Sequence, residues 1–483
     1  RHTRYISVTG VQTCALPISN IAYVPTAAML RGDFSAFTSP ACNAGRQITL
    51  RAPYVNNQIN PAQFSPAALK LVSKLPKADN DCGQVTYQQP GDGDQGQALA
   101  RIDYQRGANH SIFGRYMATF DKAPAAYEKT NNVLTLATGP GLDNLAQAFT
   151  GGDTRIFGSN VVNSFRASFN RTSIHRGSPA FFDPTDLGVK NFYSYKPGEM
   201  VLTVTDGFNI SAGTATTGIF WTNSYQGTDD ITLVKGRHQM GFGGSYAFWH
   251  SYQTSHARSG GNWTINGQTT GSGLGDLLIG AVSSMEQGVP NLLEMNMKYV
   301  GFYGQDSWRV ADRVTLNYGF RWEPYLGQQM LYGGADIFNH DNFVKGVKSQ
   351  QFVNAPAGFL YPGDSGFPPG RSGYNKTLWN PSPRVGLAWD VKGDGSLAFR
   401  SSYSLSTDFP SGDYMNINAS APPWGNRLLV PTTSMDDPYA AVGGNPHPIA
   451  TNRNTAFPPF GAFGAMDPNI KPPRVQSWNV TLE

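Results

Sequence analysis

A chain of 483 residues with 54 glycines, 33 prolines and 12% aromatic residues, but only 14% charged ones, suits many short strands and long loops rather than helical domains. A mean hydropathy of -0.35 and the lack of a long apolar run exclude membrane-spanning helices, though not a barrel, whose lipid-facing residues occupy only alternate positions of each strand. The formal charge of +4 is too mild to argue for nucleic acid or a basic membrane patch.

In chain order, Val8-Thr9-Gly10-Val11-Gln12-Thr13-Cys14-Ala15-Leu16-Pro17-Ile18 looks like the translation of a common short-read sequencing adapter, so residues 1–19 read as an assembly artefact. A signal peptide would need a long apolar core, and lipoprotein processing at Cys14 would need small residues before it; neither is present. Asn20–Gly96 shows no strand alternation. Within it Ser65-Pro66-Ala67-Ala68-Leu69-Lys70-Leu71-Val72 predicts a short helix with Ser65 as N-cap and Pro66 in the first turn. Arg31-Gly32-Asp33 is too short to carry an integrin-binding reading, and Asp92 and Asp94 read as a solvated turn.

From residue 97 onward strands come in pairs. Ala98–Gln105 and His110–Asp121 flank a turn at 106–109, Asn144–Phe157 and Val161–Ser173 one at 158–160, and Thr222–Lys235 and His238–His250 one at Gly236-Arg237. Tyr299–Val310 and Val314–Pro324 are separated by a tight turn. Arg384–Val391 and Ser396–Leu405 follow, and Arg474–Glu483 ends the chain as an eleventh strand. The Tyr299–Pro324 hairpin is the clearest: Val314, Leu316, Tyr318, Phe320 and Trp322 alternate with Thr315, Asn317, Gly319, Arg321 and Glu323, one apolar wall and one polar wall.

Turns within pairs are a few residues, whereas connections between pairs run roughly twenty to seventy, the asymmetry of short periplasmic turns and long extracellular loops. A β-propeller would need a repeat of about forty to fifty residues, and no such period is present. The expected fold is therefore all-β: a partial antiparallel transmembrane barrel over residues 97–483, preceded by an extracellular loop region over residues 20–96. Eleven strands cannot close by themselves, since single-chain bacterial barrels have even numbers, so both ends are expected to be cut.

Phe302-Tyr303-Gly304-Gln305-Asp306-Ser307-Trp308-Arg309-Val310 followed by Leu316-Asn317-Tyr318-Gly319-Phe320-Arg321-Trp322-Glu323 resembles the mid-barrel signature of TonB-dependent outer-membrane receptors, nearest the Oar-like subgroup. Arg31–Ser35, Asn380–Asp390 and Pro473–Asn479 share the resemblance. It implies a barrel of about twenty-two strands, an N-terminal plug that is not visible in this chain, and energised passage of a large ligand driven through the TonB–ExbB–ExbD system. An adhesion or signalling barrel without transport is the alternative.

Several residues then acquire expected roles. Cys42 and Cys82 form an even pair in an exported chain, to be read as a disulfide or as two loop thiols. With short turns periplasmic, outward Trp308 and Trp389 belong at the periplasmic lipid interface, and Trp322 and Phe248 toward the extracellular one. Arg115, Arg166, Arg309, Arg321, Arg384 and Arg400 fall on the lumen face, either to attract an anionic ligand or to solvate the wall and hold a plug. No catalytic cluster, metal set or cofactor motif emerges: His250 and His256 lack a third ligand, and Asp390 and Asp394 bracket a glycine turn. The expected partners are outer-membrane lipid, the TonB system and an extracellular ligand whose identity the sequence does not name.

Overall fold

The computed structural model describes residues 19–483 apart from residues 139, 178, 212–216 and 333; the adapter-like stretch over residues 1–18 lies outside the described residues. Twelve strands form one antiparallel sheet: eleven follow one another in chain order, and a short twelfth, Gln329–Tyr332, pairs with the loop end of the strand Asn291–Ala311. The eleven are β1 (Asp94–Gln105), β2 (His110–Ala123), β3 (Gly141–Phe157), β4 (Val161–Gly177), β5 (Gly218–Lys235) and β6 (His238–Ser255), then β7 (Asn291–Ala311), β8 (Val314–Trp322), β9 (Pro381–Asp390), β10 (Ala398–Thr407) and β11 (Arg474–Leu482). The outer edges of β1 and β11 have no strand partner among the described residues, so the sheet is an open part of a barrel wall.

All short turns lie at one end. The two-residue turn Gly236-Arg237 starts with Gly236 at φ 60°, a backbone state that costs glycine nothing and matches the twist of the paired strands. At the other end the strands run past what lipid requires. β5 and β6 have 18 residues each, about 60 Å of chain, whereas about ten tilted residues cross a bilayer.

The surplus of β7 is explained by what covers it. Leu293, Met295 and Met297, alternate residues of its loop end, are buried under Tyr325, Met330 and Met415. The expected strand began only at Tyr299, because Asn291–Lys298 owes its strand form to this tertiary cover.

Register sorts the two faces. Tyr116, Phe149, Phe169, Tyr225 and Phe248 stand in one row across β2 to β6. Their neighbouring ring centroids are 4.5, 6.2, 5.0 and 6.4 Å apart. Each such pair adds roughly 0.5–1.5 kcal/mol beyond the area it buries. All five rings point away from the arginine-bearing face.

The long connections build a second body at the loop end. Strands Leu428–Ser434, Ala281–Gln287, Asn262–Ile265, Val201–Val204 and Asn209–Ile210 make a five-stranded sheet from three separate connections. The N-terminal region packs on it: Met29, Phe34, Ile59 and Leu71 share one buried cluster with Leu202, Trp263, Leu277, Leu428 and Val430. That region also holds a ladder, Ser19–Tyr23 against Gln84–Gln88, where no strand was expected. Strands of two to seven residues assembled from distant segments leave no periodicity to read.

The helix Pro66–Val72 forms as its cap predicts: Ser65 Oγ accepts from the Ala68 amide at 3.1 Å. Asp436, from the connection before β11, accepts from Ser65 Oγ at 2.8 Å and from the Ala67 amide at 3.0 Å. The helix N-terminus is thereby pinned to a loop more than 360 positions away.

Cys42 and Cys82 are joined in the structure, with Cα atoms 5.3 Å apart and 40 positions between them. If the exported protein carries this bridge, a non-reducing digest should yield one peptide containing both cysteines. Cys42→Ser with Cys82→Ser should then lower the stability of the loop body by at most about 4 kcal/mol, the chain-entropy figure for such a loop. Recovery of the two cysteines as free thiols from exported protein would refute the bridge.

Candidate functional site

The β7–β8 hairpin carries the resemblance, and its geometry gives those residues physical work. Asp306 shares its face with Phe302 and Trp308, and its Oδ2 accepts from the Tyr318 hydroxyl at 2.9 Å and lies 2.6 Å from His238 Nδ1. His238 in turn stacks on Trp308, centroids 5.4 Å apart. One carboxylate thus ties β6, β7 and β8 together on the outward face, near the short turns. On the opposite face Gln305 crosses Gly319, where an added Cβ would come within 2.9 Å of Gln305 Cβ. Glycine follows Tyr318 because the neighbouring strand needs that space.

Arg321 is the hub of the inner face. Its Nε is 2.7 Å from Glu323 Oε1, and it donates to the Tyr299 hydroxyl and to Ser245 Oγ at 3.3 Å. Its guanidinium also lies 5.9 Å from the Tyr303 ring, whose hydroxyl donates to Asp230 Oδ1 at 2.6 Å. Arg166 reaches Asp230 at 4.0 Å. Charge-assisted bonds of this kind hold five adjacent strands, β4 to β8, in register.

All six expected lumen arginines lie on this face by register, but they do not form one cluster. Arg166 and Arg321 belong to the network just described. Arg309 donates to the Asp312 carbonyl at 3.2 Å, and Arg400 approaches Glu483 at 3.8 Å. Arg115 and Arg384 make no ion pair among the described residues; Arg384 borders a depression of about 320 Å³ with Gln305, Ser307 and Asn317. Only local pairing separates these roles, and alternation alone does not report it.

The four expected interface aromatics sit at two levels. Trp308 faces Leu316, close to the turn, while Trp322 lies six positions farther along β8, about 20 Å of strand, and stacks on Phe302 at 6.3 Å. Trp389 pairs with Val314 beside the turn, and Phe248 ends the five-ring row at the loop side. Sequence reading set Phe169 on the face opposite Arg166 but missed Tyr116, Phe149 and Tyr225, although alternation at each would have found them.

In the loop body Glu286 is gripped by Arg258 at 3.0 Å and Arg427 at 2.6 Å, from two different connections. Burial would raise its carboxyl, but the two guanidinium groups hold it below the usual range. His447 is pushed down to about 4 by burial, so it is neutral at ordinary pH, 2.9 Å from the Tyr195 hydroxyl. No group of three or more His, Cys, Asp or Glu side chains placed to hold a metal occurs among the described residues. The Asp390 carboxylate accepts from the Gly393 and Gly395 amides, as a turn former does.

An open antiparallel wall with short turns at one end, a lipid-facing aromatic row and a polar inner face defines an outer-membrane β-barrel protein. The chain belongs to the outer membrane beta barrel domain family, whose model matches residues 5–483. Its location is the outer membrane. Among curated proteins none matches.

Similar solved structures include the outer membrane transporter YddB from Escherichia coli, at 12% identity and a TM-score of 0.35, covering 69% of this chain and 34% of that one. The siderophore receptor PiuA from Acinetobacter baumannii has 10% identity and a TM-score of 0.39, covering 81% and 47% respectively. The FrpB iron transporter from Neisseria meningitidis has 11% identity and a TM-score of 0.35, covering 70% and 41%. The chain spans about a third of the length of YddB.

One buried group makes a pH-dependent expectation. Asp336 is fully buried in the loop body, neither carboxylate oxygen has a partner among the described residues, and burial raises its carboxyl well above the usual range. The folded state therefore holds a proton that the unfolded state releases, so stability is lost as pH climbs from the ordinary carboxylate value toward the raised one. Asp336→Asn should raise the melting temperature at pH 8, with a gain that shrinks as pH falls toward 4. A gain independent of pH, or a loss at pH 8, would show that the carboxylate has a partner.

Proposed function

We propose that the chain is the barrel portion of a TonB-dependent receptor of the Oar-like kind, which takes a large ligand across the outer membrane with energy supplied through TonB–ExbB–ExbD. The observation that carries this reading is the signature hairpin: Gln305, Asp306, Trp308, Tyr318, Gly319 and Arg321 each make a specific cross-strand contact there, in the order that the resemblance requires. Family membership and a polar inner face support it. On this reading Arg115 and Arg384, free of ion pairs among the described residues, meet a plug or a passing ligand, while Arg166 and Arg321 serve the wall. The test is site-specific cross-linking of the intact receptor in living cells. A TonB adduct that grows under ligand supply is expected, and absence of any adduct would favour the adhesion barrel.

The same reading orients the wall, with the loop body outside the cell and the two aromatic levels at the two lipid interfaces. With the cysteines of the loop body bridged, Lys345→Cys in a long connection should react with an impermeant maleimide on intact cells. Lys392→Cys, in the turn after β9, should react only after permeabilisation. The reverse pattern would exchange the two girdles, placing Trp308 and Trp389 on the outer side.

A further inference from the structure

The connection between β8 and β9 and the one between β10 and β11 enclose a cavity of about 540 Å³ in the loop body, within the size range of small-ligand sites. Its floor is aromatic: Phe352 meets Trp424 edge-on with centroids 5.5 Å apart, and Tyr361 supports them both from beneath. Two guanidinium groups, Arg371 and Arg453, stand at its margin with Gln351, and no carboxylate lines it. Neither arginine forms an ion pair among the described residues. Arg371 is not a loose surface chain, since its Nη1 donates to the Leu331 carbonyl at 2.9 Å and its own amide donates to Gln329 Oε1 at 3.0 Å.

An uncompensated positive margin over an aromatic floor selects for a particular ligand chemistry. We propose that this cavity is a binding site for a carboxylate-bearing ligand with an apolar or planar face, the charge held by Arg371 and Arg453 and the face laid on Phe352 and Trp424. Guanidinium and carboxylate match as planar two-point partners, and a low-dielectric floor strengthens the pairing. The chemistry is shared by a peptide C-terminus beside an aromatic residue and by an acidic sugar. The inference rests on the receptor reading only in taking the loop body to face outward.

The test uses the full chain in detergent micelles and calorimetric titration with four probes: N-acetyl-Gly-Gly-Phe, its C-terminal amide, trigalacturonic acid and its methyl ester. At least one acid should bind, and its neutral counterpart should bind about tenfold more weakly or worse. Which acid binds assigns the source. Arg371→Gln with Arg453→Gln should abolish the preference for the acid, and Arg371→Lys with Arg453→Lys should keep part of it. If the double glutamine variant does not fold, judged by loss of the native circular dichroism, each single variant should still weaken the acid about tenfold. Failure of both acids to bind, equal binding of acid and neutral forms, or an unchanged preference in the glutamine variants would overturn the site. Binding that persists in a receptor showing no TonB adduct would leave this site standing and sink the transport reading.

Discussion

In hydrocarbon a backbone amide has no water to turn to, and each unpaired N–H or C=O costs several kcal/mol. Every feature of this wall follows from meeting that demand. The strands pair in chain order without a crossover, because hairpins give the shortest route to a fully bonded ladder. Alternation then leaves each strand with one face for lipid and one for water. The ring row from Tyr116 to Phe248 and the arginine-bearing face are two sides of the same ladder.

With the ladder saturated, side chains decide register and rigidity, since a slip of one residue would exchange the faces. The hairpin of β7 and β8 carries locks on both sides. Outward, Asp306 binds Tyr318 and faces His238, so a carboxylate on the lipid side is kept in company near the headgroup level. Inward, Arg321, Tyr299, Glu323, Tyr303 and Asp230 continue the tie toward β4. Removing one member would strand its partners without bonds, so the network behaves as a unit.

The loops are ordered by a different force. Apolar residues from the N-terminal region and four connections share one core around Trp263, and burying each large side chain contributes roughly 1.5–3 kcal/mol against the entropy of ordering long loops. Glu286 between Arg258 and Arg427, and Asp436 on the helix at Ser65, add directional ties between segments far apart in sequence. A body built in this way presents fixed cavities at the mouth of the wall rather than a fringe of mobile loops.

Alternation is a local property, so the wall was legible residue by residue: eleven strands, the short turns, the faces of Trp308, Trp322 and Arg321, and the capped helix at Ser65 all follow from neighbours a few positions apart. The Cys42–Cys82 geometry was foreseen only as one of two readings, because pairing depends on where the chain leads over a separation of 40 positions. Tertiary structure alone decided the rest. Asp306 looked like one polar residue in an apolar row until β6 and β8 brought His238 and Tyr318 to it. Asp336, Glu286 and the floor of Phe352 and Trp424 carry no periodic signal, since their neighbours come from separate connections. Short-range sterics and strand alternation are written in adjacent residues, whereas a loop core exists only after distant apolar surfaces have met and expelled water between them.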